Sequence, residues 1–369
     1  MAAKVLAERG RVVDVVSANM SAVRQRDEST LDLARRWFGL RAIVPCRPAF
    51  GDWAAISEFA ERASDRAAEW VSSRGPYENL YTRALWAGSH VAGALFKLRE
   101  PQVNWTAEFS DPLGRGVDAT RRPGPLTENE VTGRLRAALE EADVTVPADA
   151  SLFEFVELVS YTLADELIFT NENQRDYMLS LVDPRVAAMA RAKSVVRPHP
   201  APAPSAYTWA TTELSLDPDR RHIGYFGSFY GNRTLDEVLE ALVQVGHETR
   251  SRVQLHVFCD KPDALAEAVS SHGLTGTVIA RPYAHYFEFL HITTQLDALL
   301  VRDAETAGVF PANPFLPSKY SDYRGAGRPV WGIVEPGSPL DGMPLDYRSR
   351  VGDVESVAAA IRSIAAVEG

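Results

Sequence analysis

The chain has 369 residues, 46% apolar and 24% charged, which suits two packed domains of ordinary size and excludes a disordered chain. Its 39 basic and 49 acidic residues give a net charge of −10, so the basic face needed for broad nucleic-acid binding is missing, though one local basic pocket for a small anion is not excluded. No apolar run reaches the roughly 18–20 residues of a membrane span. Ala3–Leu6 is broken by Glu8 and Arg9 where a signal peptide would continue, and the two cysteines, Cys46 and Cys259, make neither a disulfide framework nor a zinc cage. A cytoplasmic protein is expected.

Met1–Gly10 reads as a helix leading into a strand, where a Rossmann-like domain is expected to open with a strand and a glycine-rich turn. Strands are then predicted at Val12–Ser17, Ala42–Val44, Asn79–Arg83, Val103–Phe109 and Leu167–Thr170. Helices are predicted at Asp32–Phe38, Trp53–Ser72 and Val131–Ala142, with an exposed loop over Pro112–Glu128 and Asn171 as a helix cap. Arg197–Pro204 has proline at every second place, which forbids helix and marks a linker. The rhythm restarts with strands at His222–Phe226, Val253–Cys259, Val278–Ala280, Ala298–Val301 and Pro329–Val334. Helices Leu235–Val245, Pro262–His272, Tyr286–Thr294 and Val354–Val367 complete it. The expected fold is α/β, with two Rossmann-like domains whose parallel sheets face a central cleft. The domains are 1–196 and 222–369, joined by a linker at 197–221, and the last helix is free to pack back on the first domain.

Two segments carry the chemistry. In Ile223–Leu239 a strand ends at Gly227, a small-residue loop follows and a helix begins, so backbone near Gly227 and Ser228 with Arg233 suits a diphosphate. The competing reading is a tight turn with Arg233 solvated. In Pro317–Trp331 a short helix opening near Ser318 carries Lys319 and Asp322 on one face, a cation for phosphate and a carboxylate for ribose hydroxyls. The competing reading is a surface ion pair between those two. Strand ends in the first half offer Glu108 and Asp111, and Arg83 or His90, as further cleft candidates; Asp111 also fits a cap on the Pro112 turn, and His90 a packed core histidine. Asp217-Pro-Asp219 lacks a second acidic cluster and no metal site is expected.

Together the two segments resemble the donor-binding half of GT-B glycosyltransferases, in particular the family-4-like branch with its PSK-x-x-E-Y-x-A-x-G-[KR]-P-V stretch. The chain matches as Pro317-Ser-Lys, Asp322-Tyr and Ala326-Gly-Arg-Pro-Val, with Asp322 in place of glutamate and Pro314 where an earlier glutamate is common. The likeness is specific over about Ile223–Val334 and topological elsewhere. It implies a nucleoside-diphosphate-sugar donor bound by Gly227, Ser228, Arg233, Ser318, Lys319 and Asp322, with the turn at Tyr283 against the base. It implies catalysis at Asp111, with Glu108 and His90 as the further catalytic candidates read from the strand ends, by a metal-independent, retaining hexosyltransferase of polysaccharide or glycoconjugate biosynthesis. Asp111 matches the family's aspartate, and Ser110 replaces its histidine or arginine. No cofactor beyond the co-substrate is implied. The acceptor is a glycan, a lipid or a small molecule, and a lipid acceptor would bring peripheral membrane contact. A GT-B sugar-nucleotide epimerase and a non-catalytic nucleotide-sugar-binding protein are the alternatives.

Overall fold

The computed structural model describes residues 2–22, 27–84, 86–229 and 234–367. The first half runs α1 (Ala2–Arg9), β1 (Val13–Ala18), β2 (Phe38–Val44), α2 (Trp53–Arg74), β3 (Asn79–Ala84), α3 (Gly88–Arg99) and β4 (Asn104–Phe109), then α4 (Glu130–Glu141), α5 (Leu152–Leu163), β5 (Glu166–Phe169), α6 (Glu172–Ser180), α7 (Pro184–Ala192) and β6 (Ser194–Val196). The second half runs β7 (Arg221–Phe226), α8 (Asp236–Gln244), α9 (Gly246–Ser251), β8 (Val253–Cys259), α10 (Pro262–Ser271), β9 (Val278–Pro282) and α11 (Tyr286–Thr293). It closes with β10 (Ala298–Arg302), α12 (Lys319–Tyr323), β11 (Val330–Val334), β12 (Tyr347–Arg350) and α13 (Val354–Ala365). Within each sheet all strand pairs are parallel, so the carboxyl ends of neighbouring strands share one edge.

The second half is one six-stranded sheet in the order β12-β11-β10-β7-β8-β9. Chain order runs outward from β7 to β9, then returns to the other side of β7, so the switch point falls between β7 and β10. Ligands of open α/β sheets lie in the crevice outside such a point. Gly224 allows the close packing here, since a Cβ on it would lie 2.3 Å from Leu296 Cδ1. The first half is divided: β3-β4-β5-β6 form a four-stranded sheet in sequence order, and β1 pairs with β2 apart from it. Its core surrounds Trp53, Trp105 and the stacked pair Phe109–Phe169, whose ring centroids are 5.4 Å apart.

Local chemistry sets the helix ends. Asp52 accepts from the Ala55 N–H to start α2, which stops at Gly75 with φ 91°. Ser151 and Glu154 form a capping box on α5. The helix expected over Asp32–Phe38 is not formed: 3₁₀ turns at Glu28–Leu33 and Arg35–Trp37 lead straight into β2. There Phe38, Leu40, Ala42 and Val44 recur at every second residue, the period of a strand. The last helix packs within the second half. Val357, Ile361 and Ile364 of α13 join Val238 and Leu242 of α8 in the core of the second half.

The chain start does cross over. Leu33 is buried with Tyr207, Phe289 and Tyr323 on the far face of the six-stranded sheet. Helix α1 spans both halves: Lys4 bonds Asp322 beyond the linker, and the Arg9 guanidinium lies 5.2 Å from the Tyr81 ring of β3. Asn171 caps α6 by accepting from the Gln174 N–H and donates to the Pro314 carbonyl of the other half at 3.0 Å. Asn173 donates to the carbonyls of Asn313 and Gly337, each at 3.0 Å. Both cysteines are free thiols.

Candidate functional site

At the switch point, β7 ends at Phe226 and runs into Gly227, Ser228 and Phe229. The Gly227 N–H donates to the Phe258 carbonyl at 3.1 Å, continuing the ladder to β8, so what Gly227 offers a ligand is space rather than a hydrogen bond. The Ser228 hydroxyl bonds the Tyr283 hydroxyl at 2.6 Å and ties this loop to the end of β9. Arg233 lies outside the described residues.

Across the crevice stands α12. Its Lys319 ammonium lies 4.0 Å from the Phe289 ring centroid, and Phe289 packs edge-on against Phe226 at 4.8 Å. Lys319 and the Gly227 loop therefore share one edge. Burial pushes the Lys319 ammonium down from the ordinary lysine range, Asp322 opposes that and Lys4 adds to it. Among the described residues its Nζ has a ring beneath it and no hydrogen-bond acceptor. Ser318 precedes the helix without a capping side-chain bond.

Asp322 is buried, 4% exposed, and its ion pair is with Lys4 at 2.8 Å rather than with Lys319. The surface pair considered from sequence is thus replaced by a buried pair spanning most of the chain. Lys4 also donates to Ser321 Oγ at 3.0 Å, and the Tyr286 hydroxyl donates to the same Asp322 Oδ1 at 2.8 Å. Oδ2 receives no hydrogen bond from a described residue. The Tyr207 hydroxyl donates to the Asp322 carbonyl, and the same ring needs a glycine at 325, where a Cβ would lie 2.2 Å from Tyr207 Oη.

Directly after β10 and β11 lies a polar network that sequence reasoning missed. Asp303 follows β10 and accepts from the Glu335 N–H at 3.0 Å and the Ser338 hydroxyl at 2.5 Å. Glu335 follows β11 and accepts from the Thr306 N–H at 2.8 Å and from Asn313 Nδ2 at 3.1 Å. These bonds tie residues 303–313 to the segment after β11. Their signal was available: both acids stand directly after parallel strands, where site residues concentrate. Arg302, also buried, donates from Nε to Glu237 in the first turn of α8 at 2.6 Å.

On the first half, Asp111 is exposed just beyond β4. Ser110 beside it has a buried hydroxyl oxygen with no partner among the described residues. Glu108 is 3% exposed and both its oxygens are engaged. It accepts from Tyr81 Oη at 2.6 Å, Arg83 Nε at 2.9 Å and Arg197 Nη2 at 3.3 Å. A carboxylate so occupied orients cations and is not available as a general acid or base. His90 is fully buried against Trp105 and Phe109, with Nδ1 2.8 Å from Thr82 Oγ1. Burial lowers its pKa to about 3, so the catalytic expectation gives way to a neutral core histidine.

The described residues hold no group of three His, Cys, Asp or Glu side chains placed as metal ligands, and no helix long and apolar enough to cross a membrane. The chain matches no protein-family model and no curated protein sequence. Solved structures do match. A sucrose-phosphate synthase of Thermosynechococcus elongatus is 15% identical over 98% of this chain and 82% of that one, with a TM-score of 0.54. Anabaena HepE, solved in complex with UDP-glucose, is 12% identical over 95% and 89%, with a TM-score of 0.55. A Listeria monocytogenes protein assigned as a UDP-N-acetylglucosamine 2-epimerase is 13% identical over 97% and 91%, with a TM-score of 0.50. Likeness at these identities establishes architecture, and on that ground the chain is an α/β protein of GT-B-like fold.

Proposed function

We propose that the chain is a glycosyltransferase that takes its sugar from a nucleoside-diphosphate-sugar donor. The observation that carries this reading is the pairing on α12 of Lys319, an ammonium without a protein hydrogen-bond acceptor among the described residues, with Asp322, whose Oδ2 remains open. They flank the switch-point crevice, one suited to phosphate and the other to a ribose hydroxyl. The donor lies along the carboxyl edge of the six-stranded sheet, its base toward Tyr283 and its diphosphate between the Gly227–Ser228 loop and Lys319. Ser318 places the start of α12 beside the phosphates.

The sugar then points across the cleft toward Asp111, and the acceptor binds the first half. As the bond from the anomeric carbon to the diphosphate oxygen breaks, negative charge grows on the leaving phosphate. Lys319 stabilises that charge from a fixed position with little reorganisation. Transfer proceeds with retention, the course the resemblance implies. Glu108 acts by holding Arg83 and Arg197, and His90 by packing.

Release of free nucleoside diphosphate only on addition of an acceptor supports the transferase. Interconversion of the donor sugar would instead establish the epimerase reading. Because the leaving group is neutralised by side chains, turnover is expected to survive EDTA. Loss on chelation, restored by magnesium, would contradict the mechanism.

A further inference from the structure

Two guanidinium groups meet at Glu108 in the first half, with a buried neutral histidine close to one of them, against the negative sign of the chain as a whole. Arg83 at the end of β3 is held through Nε by buried Glu108 at 2.9 Å, and its two terminal nitrogens have no acceptor among the described residues. Such a guanidinium is a fork fixed in place with its paired N–H groups unused. Arg197 is pinned by its own N–H to the Phe169 carbonyl at 2.8 Å and spends one side-chain nitrogen on Glu108. Two residues on, His199 is 7% exposed, and its buried Nδ1 has no hydrogen-bond partner among the described residues. Leaving a buried polar atom unpaired is costly, and a ligand oxygen would pair it. Glu108 balances only one of the two guanidinium charges. On the opposite wall Lys4 is already matched by Asp322.

We infer that Arg83, Arg197 and His199 form a subsite for a compact oxyanion carried by the acceptor, a phosphate or a carboxylate. This goes a step further than the glycosyltransferase reading and rests on it for the word acceptor, but binding of the anion itself requires no donor. The Arg83 fork takes two oxygens of the group, and His199 donates from Nδ1 to a third or to a bridging oxygen. Burial together with the positive charges of Arg83 and Lys4 lowers the His199 pKa to about 3. A bound anion would offset those charges and raise it.

The test is calorimetric titration of the full chain with inorganic phosphate, with glucuronate and, separately, with UDP. Phosphate or glucuronate should bind the parent, and which one binds names the anion. Arg83→Gln and His199→Phe should each weaken that binding about tenfold or more while UDP affinity stays within about twofold. Arg83→Lys keeps the charge opposite Glu108 but loses the fork, so it should show the same loss with an unchanged melting temperature if Arg83→Gln fails to fold. Loss of phosphate binding in Lys319→Ala but not in the Arg83 variants would place the anion on the donor side and overturn the subsite. Absence of binding by both anions at millimolar concentration would overturn it too. Binding of phosphate without binding of UDP or of any other nucleoside diphosphate would uphold the subsite and remove the nucleotide reading instead.

Discussion

The carboxyl edges of the two main sheets each carry buried acids, and they use them in opposite ways. On the second half Glu335 and Asp303 accept mainly from backbone N–H, hydroxyl and amide groups of nearby loops. The acids there build shape, tying residues 303–313 to the segment that follows β11. On the first half Glu108 sits between two guanidinium groups and a phenol. That acid aims positive charge and leaves donors over. Here the carboxylates met by neutral donors fix a loop, whereas Glu108, met by two cations, holds guanidinium groups in place.

The comparison breaks first at Asp322, where the chain start binds the second half. Asp322→Asn keeps an oxygen for Lys4 and Tyr286 but strips the buried ammonium of its counter-charge. A loss of about 3 kcal/mol is expected in urea unfolding, far above the tenths that a surface pair would give. Next comes the loop-building side. Glu335→Ala leaves the Thr306 N–H and hydroxyl without their acceptor and takes one of two acceptors from Asn313 Nδ2, which keeps the Ala304 carbonyl, and about 2–4 kcal/mol of stability should go with it. Nucleotide affinity should fall too, as residues 303–313 loosen. A variant as stable as the parent would deny that Glu335 holds this loop.

The smallest effect concerns a third acid, Glu157, which accepts from the N–H groups of Leu113 and Gly114, each at 2.9 Å. Burial outweighs those bonds and raises its pKa from 4.5 to about 7. A carboxyl raised in the folded state stabilises fully below its unfolded value, and that contribution is lost as pH climbs through 7. Stability should therefore decline between about pH 5 and about pH 8. Glu157→Gln, which keeps an acceptor for both N–H groups, should flatten the decline in urea midpoints measured at the two pH values. An unchanged slope would mean the decline has another source.

Much of the frame was legible because it is local. Val253–Cys259 is read from its apolar run with the bounds the structure shows, and the proline alternation after Arg197 does keep helix away until the 3₁₀ turn at Pro204–Thr208. Short strands were not legible: Ser194–Val196 and Tyr347–Arg350 are three and four residues long and alternate in burial, too little pattern to separate from loop. The helix expected over Asp32–Phe38 failed because a two-residue period took over within it. At the site, the sequence put Lys319 and Asp322 on one helix but could not supply Lys4, whose partner lies 318 residues away. Nor could it show that His90 faces Trp105 and Phe109, since the apolar helix that carries it has buried positions on several sides. Long-range pairing and burial are properties of the fold, and local spacing carries little of either.

The central claim is that a nucleoside diphosphate sits against α12 with its phosphates on Lys319. Calorimetry with a panel of nucleoside diphosphates on the parent and on Lys319→Ala tests it most directly, with melting temperature as the check on folding. A charge-assisted phosphate contact is worth about 1.5–3 kcal/mol, so the variant should bind the preferred nucleotide about ten- to a hundredfold more weakly and melt like the parent. Equal affinity in the two proteins would contradict the account.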